Sequence, residues 1–403
     1  MEDRKQYRLT EAEYRRILEC KRDLHMHPEL SRKEFRTSGV IRDFLSDLPD
    51  FEILPLETET GTGVVARICG TEAETEGGGR EIMLRADIDA LPQTEEYESP
   101  WKSQMPGVMH ACGHDFHTAA LLGAALLLQR MRDAGDLSVT VDLVFQPAEE
   151  GTTGARMMID AGLFDVIHPD LCIGFHNWPS LRTGQVSCHT GSLMAGKRNF
   201  EITIHGAGGH GSMPHLNVDP IVCAAAVIQS LQTVVSRNTD PLDAVVLSIN
   251  RIEGGRPVNM VADKVTMLGT VRSLSDGALD RAISRVEAIV QNTSSAYECK
   301  AEIAWDERFP TVWNAPALTA LAGKCVLACG GEAVEAPPSL TSEDFSLYRA
   351  HVPSFFYWVG STAEGDAVEE LHRPGFHTDD AALRLAAELY AASVTTMSME
   401  NCE

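Results

Sequence analysis

Positive charge is scarce in this chain: 34 lysines and arginines stand against 58 aspartates and glutamates, a formal charge of −24 at pH 7. With no basic stripe to offset that excess, a phosphate backbone would be repelled, and nucleic acid is excluded as a partner. No apolar stretch is long enough to span a bilayer; the longest, around residues 119–128, contains a glycine and reads as a buried helix. The opening MEDRKQYRLTEAEYRRILEC is charged and lacks an apolar centre, so no export signal is expected. These absences point to a cytoplasmic protein without a membrane partner. The ten cysteines form no Cys-x-x-Cys pair, and scattered along a long chain they read as reduced thiols, mostly of the core. There is no Gly-x-Ser-x-Gly turn, no phosphate-cradling glycine loop, no internal repeat and no low-complexity tract, which leaves serine nucleophiles and nucleotide chemistry without a carrier.

What is present is ordinary globular composition, 44% apolar and 23% charged, over 403 residues, more than one core usually organises. Residues 8–47 read as helical around a loop at LHMHPELS. A strand beginning at EIML runs into RADIDALP, and a buried helix follows from about Asp115. The strand SVTVDLVF is expected to stop at Pro147 and DLCIGF at His176. Strands alternating with helices predict an α/β domain with a largely parallel sheet. From Gly191 the pattern becomes strand, helix, two strands, helix, strand, a ferredoxin-like βαββαβ unit with two helices on one face of an open sheet. The expected division is a catalytic domain of 1–190 and 307–403 interrupted by an inserted domain of 191–306. After the insertion come LTSEDFSLY, the strand SFFYWVGS and a terminal helix from Asp380.

The polar clusters of the first domain fall after strands, where loops of parallel sheets converge on ligands. Asp87 and Asp89, Glu149 and Glu150, and His176 occupy such places, while MHACGHDFH opens a helix. A lone Cys112 would read as a buried thiol, but His114 two residues on, at a helix start that favours thiolate, makes a ligand pair. His117, one turn further, either joins or supports them, and Asp115 reads as a helix cap. Adjacent carboxylates such as Glu149 and Glu150 can divide labour, one binding metal and one moving protons. His176 and His372 are each unremarkable alone. Together, one thiol, three imidazoles and a carboxylate suit two divalent ions sharing a water.

In this order LHMHPELS, TGVVARICG, LRADIDALP, MHACGHDFHTAALLGAA, VFQPAEEG, GFHNWP, GGHGSMPH, SEDFS and LHRP resemble the aminoacylase and carboxypeptidase group of two-metal peptidases. The likeness is to its N-acyl-amino-acid amidohydrolase branch, which includes hippurate hydrolases and plant indole-acetyl-amino-acid hydrolases. The resemblance implies that Cys112, His114, Glu150, His176 and His372 bind metal and that Glu149 is the general base. It implies that Asp89 serves catalysis by orienting a metal-binding histidine, with Asp87 and Arg85 beside it. It also implies that His210 holds the substrate carbonyl and that Asn259 and Arg272 bind its carboxylate, although the chain departs from the common proline-containing turn at VNMVAD. Two divalent ions per subunit are implied, zinc or manganese ahead of cobalt or nickel. The inserted unit resembles that family's dimerisation domain, which implies a homodimer or higher homo-oligomer. The implied reaction is hydrolysis of an N-acyl amino acid. The rivals are a dipeptidase or carboxypeptidase using the same centre, and a non-catalytic scaffold binding a small molecule.

Overall fold

The structure, a computed structural model, describes residues 7–74, 79–151 and 153–398, so the first six and last five residues of the expected catalytic domain lie outside it. The chain divides into two compact units, one of Met1–Gly191, Trp313–Pro337 and Leu347–Glu403, the other of Ser192–Val312 and Pro338–Ser346.

The first unit is built on an eight-stranded sheet in the order Phe51–Leu54, Val64–Ile68, Thr140–Gln146, Glu81–Asp87, Leu171–Arg182, Ser354–Thr362, Gln185–Ser187, Glu332–Val334. Its centre, from Thr140–Gln146 to Ser354–Thr362, is parallel. Antiparallel pairs join the first three strands and attach Gln185–Ser187, so the sheet is mixed and largely parallel. Thr140–Gln146 and Ser354–Thr362 are buried at every position, as strands covered on both faces must be. The helix His114–Ala134 carries the alanine- and leucine-rich run and is buried on almost every side. Gly123 allows that closeness: a Cβ there would lie 2.7 Å from Ala387 of the helix Ala382–Met397 and 2.9 Å from Ile17 of the helix Glu11–Met26. The latter helix starts at a capping box, Thr10 accepting from the Glu13 amide while the Glu13 carboxylate accepts from the Thr10 amide.

One expectation about the sheet needs correction. Leu171–Arg182 does not end at His176; it pairs with Glu81–Asp87 only as far as Gly174 but follows Ser354–Thr362 through Trp178. His176 therefore projects from a strand that outruns one neighbour while the other sustains it. The strands Phe51–Leu54 and Val64–Ile68 and the helix Pro316–Ala328 were not anticipated; the strands are too short for periodicity to speak clearly.

In the second unit the strands Val245–Gly254, Lys264–Ser273, Gly196–His205 and Lys300–Trp305 form an antiparallel sheet in that order. With the helices Pro220–Asn238 and Asp276–Ala296 the chain order is βαββαβ. Burial alternates strictly along Lys264–Ser273, which marks one covered and one open face. The covered face packs Phe200, Ile202, Ile204, Met267 and Val271 against Val227, Leu231, Leu279 and Val286 of the helices. Against the reading that no apolar stretch is long enough, Pro220–Asn238 is the one helix among the described residues long and apolar enough to cross a bilayer by length and composition. Here its Cys223, Ala224, Val227, Leu231 and Val234 belong to the core of the unit.

Candidate metal centre

Three segments of the first unit meet where the parallel strands end. The strand Glu81–Asp87 delivers Asp87 and, in the following loop, Asp89; the turn after Thr140–Gln146 delivers Glu149 and Glu150; and the start of His114–Ala134 delivers Cys112 and His114. Gly113, between the last two, is left-handed at φ 88°, and a Cβ there would collide with the side-chain amide of Asn177. Only glycine lets the loop turn tightly enough to aim both neighbours inward. His372 arrives from near the carboxyl end with φ 61°, unusual for a residue with a Cβ, and is tied down by its N–H donating to Ala111 O at 2.8 Å.

The donor atoms of the expected ligands converge. Cys112 Sγ lies 3.3 Å from His176 Nε2 and 3.4 Å from His372 Nε2. Glu150 Oε1 lies 3.1 Å from His372 Nε2, without the alignment of a hydrogen bond, and 4.0 Å from His114 Nε2. Ligand atoms around one tetrahedral ion with bonds of 2.0–2.3 Å stand about 3.3–3.8 Å apart, so this spacing is that of a coordination shell. His114 Nε2 and Glu150 Oε1 are moreover buried without a hydrogen-bond partner, a costly state that a cation would relieve. Two overlapping sets, Cys112 with His114 and His176, and Cys112 with Glu150 and His372, share the thiol; a third joins His114 to Glu149 and Glu150. The residues present fit divalent metal.

The ring nitrogens of His114 and His176 that face away from this space are engaged. His114 Nδ1 donates to Asp89 Oδ1 at 3.2 Å, and His176 Nδ1 donates to Asn177 O at 2.6 Å, which turns both Nε2 atoms inward. His117 is resolved as a supporter: its Nδ1 donates to Asp87 Oδ1 at 2.6 Å and its Nε2 accepts the Asn177 N–H at 2.9 Å, leaving no lone pair for an ion. Asp87 is held in turn by Arg85 Nη1 at 2.8 Å. Asp89, the aspartate that faces His114, also accepts from the amides of Glu149 and Glu150 at 3.1 and 3.0 Å and from Ser31 Oγ at 2.6 Å.

Burial, then the Glu150 carboxylate, pushes the Cys112 thiol well above its usual range. A thiolate there needs a cation. Burial opposes charge on His114, but Asp87, Cys112 and Asp89 outweigh it and hold its pKa well up, so an ion bound at Nε2 would displace a proton. Burial and the neighbouring His117 drive His176 well down, to the neutral form that a ligand requires. Asp87 stays ionised despite burial because His114, His117 and Arg85 surround it.

His210, Asn259 and Arg272 belong to the second unit. His210 lies on the two-residue ladder of Gly209–His210 with Met260–Val261, and Gly211 N donates to Asn259 O at 2.8 Å, so His210 and Asn259 stand on adjoining exposed segments. His210 Nδ1 is 2.9 Å from Ser212 Oγ. Arg272 lies on the strand Lys264–Ser273, half-buried, with Nη1 donating to Leu340 O at 3.0 Å, and burial lowers its pKa. Sequence reasoning missed Ser31, Glu34 and Asn177. The first two stand in or just beyond LHMHPELS, which reads from sequence only as a loop between helices.

Comparison with known proteins agrees with this geometry. The sequence pattern of peptidase family M20/M25/M40 matches residues 83–396. The N-acetylcysteine deacetylase of Bacillus subtilis (strain 168) is 39% identical over 380 residues, covering 94% of this chain and 96% of its own. Thermostable carboxypeptidase 1 of Saccharolobus solfataricus is 35% identical over 383 residues, 93% of each chain. A crystal structure of a Bacillus subtilis dinuclear metal-binding peptidase of the M20 family superimposes with a TM-score of 0.83 at 35% identity, over 97% of this chain and 99% of that one. Similarity of this extent, to hydrolases over nearly the full length, shows that the chain is a hydrolase belonging to peptidase family M20/M25/M40.

Proposed function

We propose that the chain is a two-metal amidohydrolase that cleaves N-acyl amino acids, in the manner of the deacetylases and hippurate hydrolases it resembles, to a carboxylic acid and a free amino acid. The observation that carries the proposal is the convergence of Cys112, His114, Glu150, His176 and His372, with His114 Nε2 and Glu150 Oε1 buried without a hydrogen-bond partner. Divalent ions bound by these residues would supply Lewis-acid polarisation and lower the pKa of water, with zinc or manganese the first candidates.

Glu149, adjacent to Glu150 and within the same donor group as His114, is the proton shuttle. It takes a proton from the attacking water and returns it to the departing amine nitrogen. Asp89 touches no reacting atom in this scheme; it orients His114 and fixes the amides of the two glutamates, a positioning role. His210 donates to the carbonyl oxygen as it becomes an oxyanion, and Asn259 and Arg272 grip the substrate carboxylate. These last three lie in the second unit. A homodimer is part of the reading: Pro220–Asn238 leaves Ile221, Val222 and Val235 exposed, and the small sheet has open edge strands.

The test is hydrolysis by metal-defined protein of a panel of hippurate, N-acetyl amino acids including N-acetylcysteine, and free dipeptides. Cleavage of the acylated amino acids in preference to dipeptides is expected. Preference for free dipeptides would instead favour the peptidase reading, which the likeness to a carboxypeptidase keeps in view.

A further inference from the structure

Glu34 lies far from the metal-binding residues in sequence, at the end of the loop between the first two helices, yet it is fully buried. Its Oε1 accepts two backbone N–H groups, those of Arg32 and Ala148, each at 2.8 Å. Both of those residues are left-handed without being glycine, Arg32 at φ 69° and Ala148 at φ 55°. Such residues are few in any chain and persist where surrounding structure fixes them. One oxygen therefore staples two strained turns together. Ala148 immediately precedes Glu149 and Glu150, whose own amides go to Asp89, itself fastened by Ser31 from the same loop as Glu34. Three consecutive amides, 148 to 150, thus end on two buried carboxylates, while the Ala148 carbonyl accepts from the amide of Gly154 at 3.1 Å.

We propose that Glu34 is a positioning residue that sets Glu149 and Glu150 by clamping Ala148 in its left-handed conformation; the inference rests on the amidohydrolase reading for the roles of those two glutamates. The clamp requires an acceptor oxygen and not a charge. Burial and the neighbouring Asp89 push the Glu34 pKa up, and its Oε2 is buried without a hydrogen-bond partner. An uncharged amide therefore fits the same place, so Glu34→Gln retains the staple while Glu34→Ala removes it. Glu34→Met removes the acceptor as well but fills the space, and so guards against collapse of a cavity.

Two readouts test this in the full chain: kcat and KM on the best acylated amino acid, and the visible absorption of the protein loaded with cobalt(II), which reports ligand geometry without substrate. Glu34→Ala and Glu34→Met are expected to lower kcat about 100-fold, the scale of an ångström's misplacement, with KM within about threefold of wild type. Their cobalt spectra should shift as Glu150 is displaced, and Glu34→Gln should match wild type in both measurements. Folded Ala or Met variants with wild-type kcat and spectrum would overturn the proposal, as would a Gln variant as damaged as they are. If wild type cleaves no amide the amidohydrolase reading fails, and the cobalt spectra still decide whether Glu34 sets the geometry of Glu150.

Discussion

Replacing Asp89 by Asn tests the centre at the point where most of its hydrogen bonds cross. Four donors converge on this carboxylate: His114 Nδ1, the amides of Glu149 and Glu150, and Ser31 Oγ. Asn keeps one acceptor oxygen and presents an NH2 group in place of the other. If the oxygen stays with His114 and the Glu149 amide, as their shared contact with Oδ1 favours, the NH2 faces the Glu150 amide and Ser31. The hydroxyl can rotate to accept, but the amide cannot. Loss of charge on the His114 bond costs about 1 kcal/mol, and an unpaired buried amide about 1–3 kcal/mol. The first term acts directly on ligand basicity and orientation, and the second displaces Glu150. Together they predict a metal affinity lowered about 10- to 100-fold, the range found when an outer partner of a metal-binding histidine is removed. Competition titration of zinc against a chelator measures this, with circular dichroism confirming the fold. Affinity within twofold of wild type would show that Asp89 does not govern the His114 ligand and would refute the reasoning.

Three further outcomes are expected. Glu149→Gln should keep its bound metal while kcat falls by orders of magnitude, since an amide cannot carry the proton; metal analysis and single-turnover assays separate the two, and unchanged turnover removes Glu149 as the base. Cys112→Ala should lose metal, because the thiol belongs to both overlapping donor sets; elemental analysis showing full occupancy would strike it from the ligands. His25 concerns stability and pH: burial alone would lower its pKa, but Asp115 at 3.0 Å and Glu95 at 3.2 Å outweigh burial and raise it to about 9. A raised histidine stabilises the fold fully below its unfolded pKa near 6.5 and loses that contribution as pH climbs through 9. Wild type should therefore lose up to ~3 kcal/mol of unfolding free energy between pH 6.5 and 9 that His25→Gln does not lose. Parallel urea curves for the two proteins across that range would contradict the assignment.

Much of the site was legible because its chemistry is local in sequence. MHACGHDFH announces a thiol and imidazoles at a helix start, VFQPAEEG announces paired carboxylates after an apolar strand, and alternation of strands with helices says that such loops share one side of a sheet. The division of labour among the buried histidines was not legible. His114 and His117 stand one turn apart on the same helix, and nothing in their spacing says which keeps a lone pair free. That depends on Asn177, whose backbone N–H reaches His117 Nε2 from 60 residues away. Likewise Asp87 and Asp89 alternate along one segment, and only the packed sheet assigns the former to His117 and Arg85 and the latter to His114. The end of the DLCIGF strand was misplaced because strand length is set by neighbours, and Ser354–Thr362 continues the pairing past His176.

By itself the sequence determined which residue types are available, the βαββαβ order of the second unit, and the strand ends that carry Asp87 and the Glu149–Glu150 pair, because short-range periodicity and composition act within a few residues of the chain. Tertiary structure alone decided which ring nitrogens point inward, how Cys112 comes to lie against His176 and His372, and how Glu34 reaches Ala148. Those are hydrogen bonds and contacts between segments 64, 260 and 114 residues apart, and they exist only once the sheet has brought the loops together.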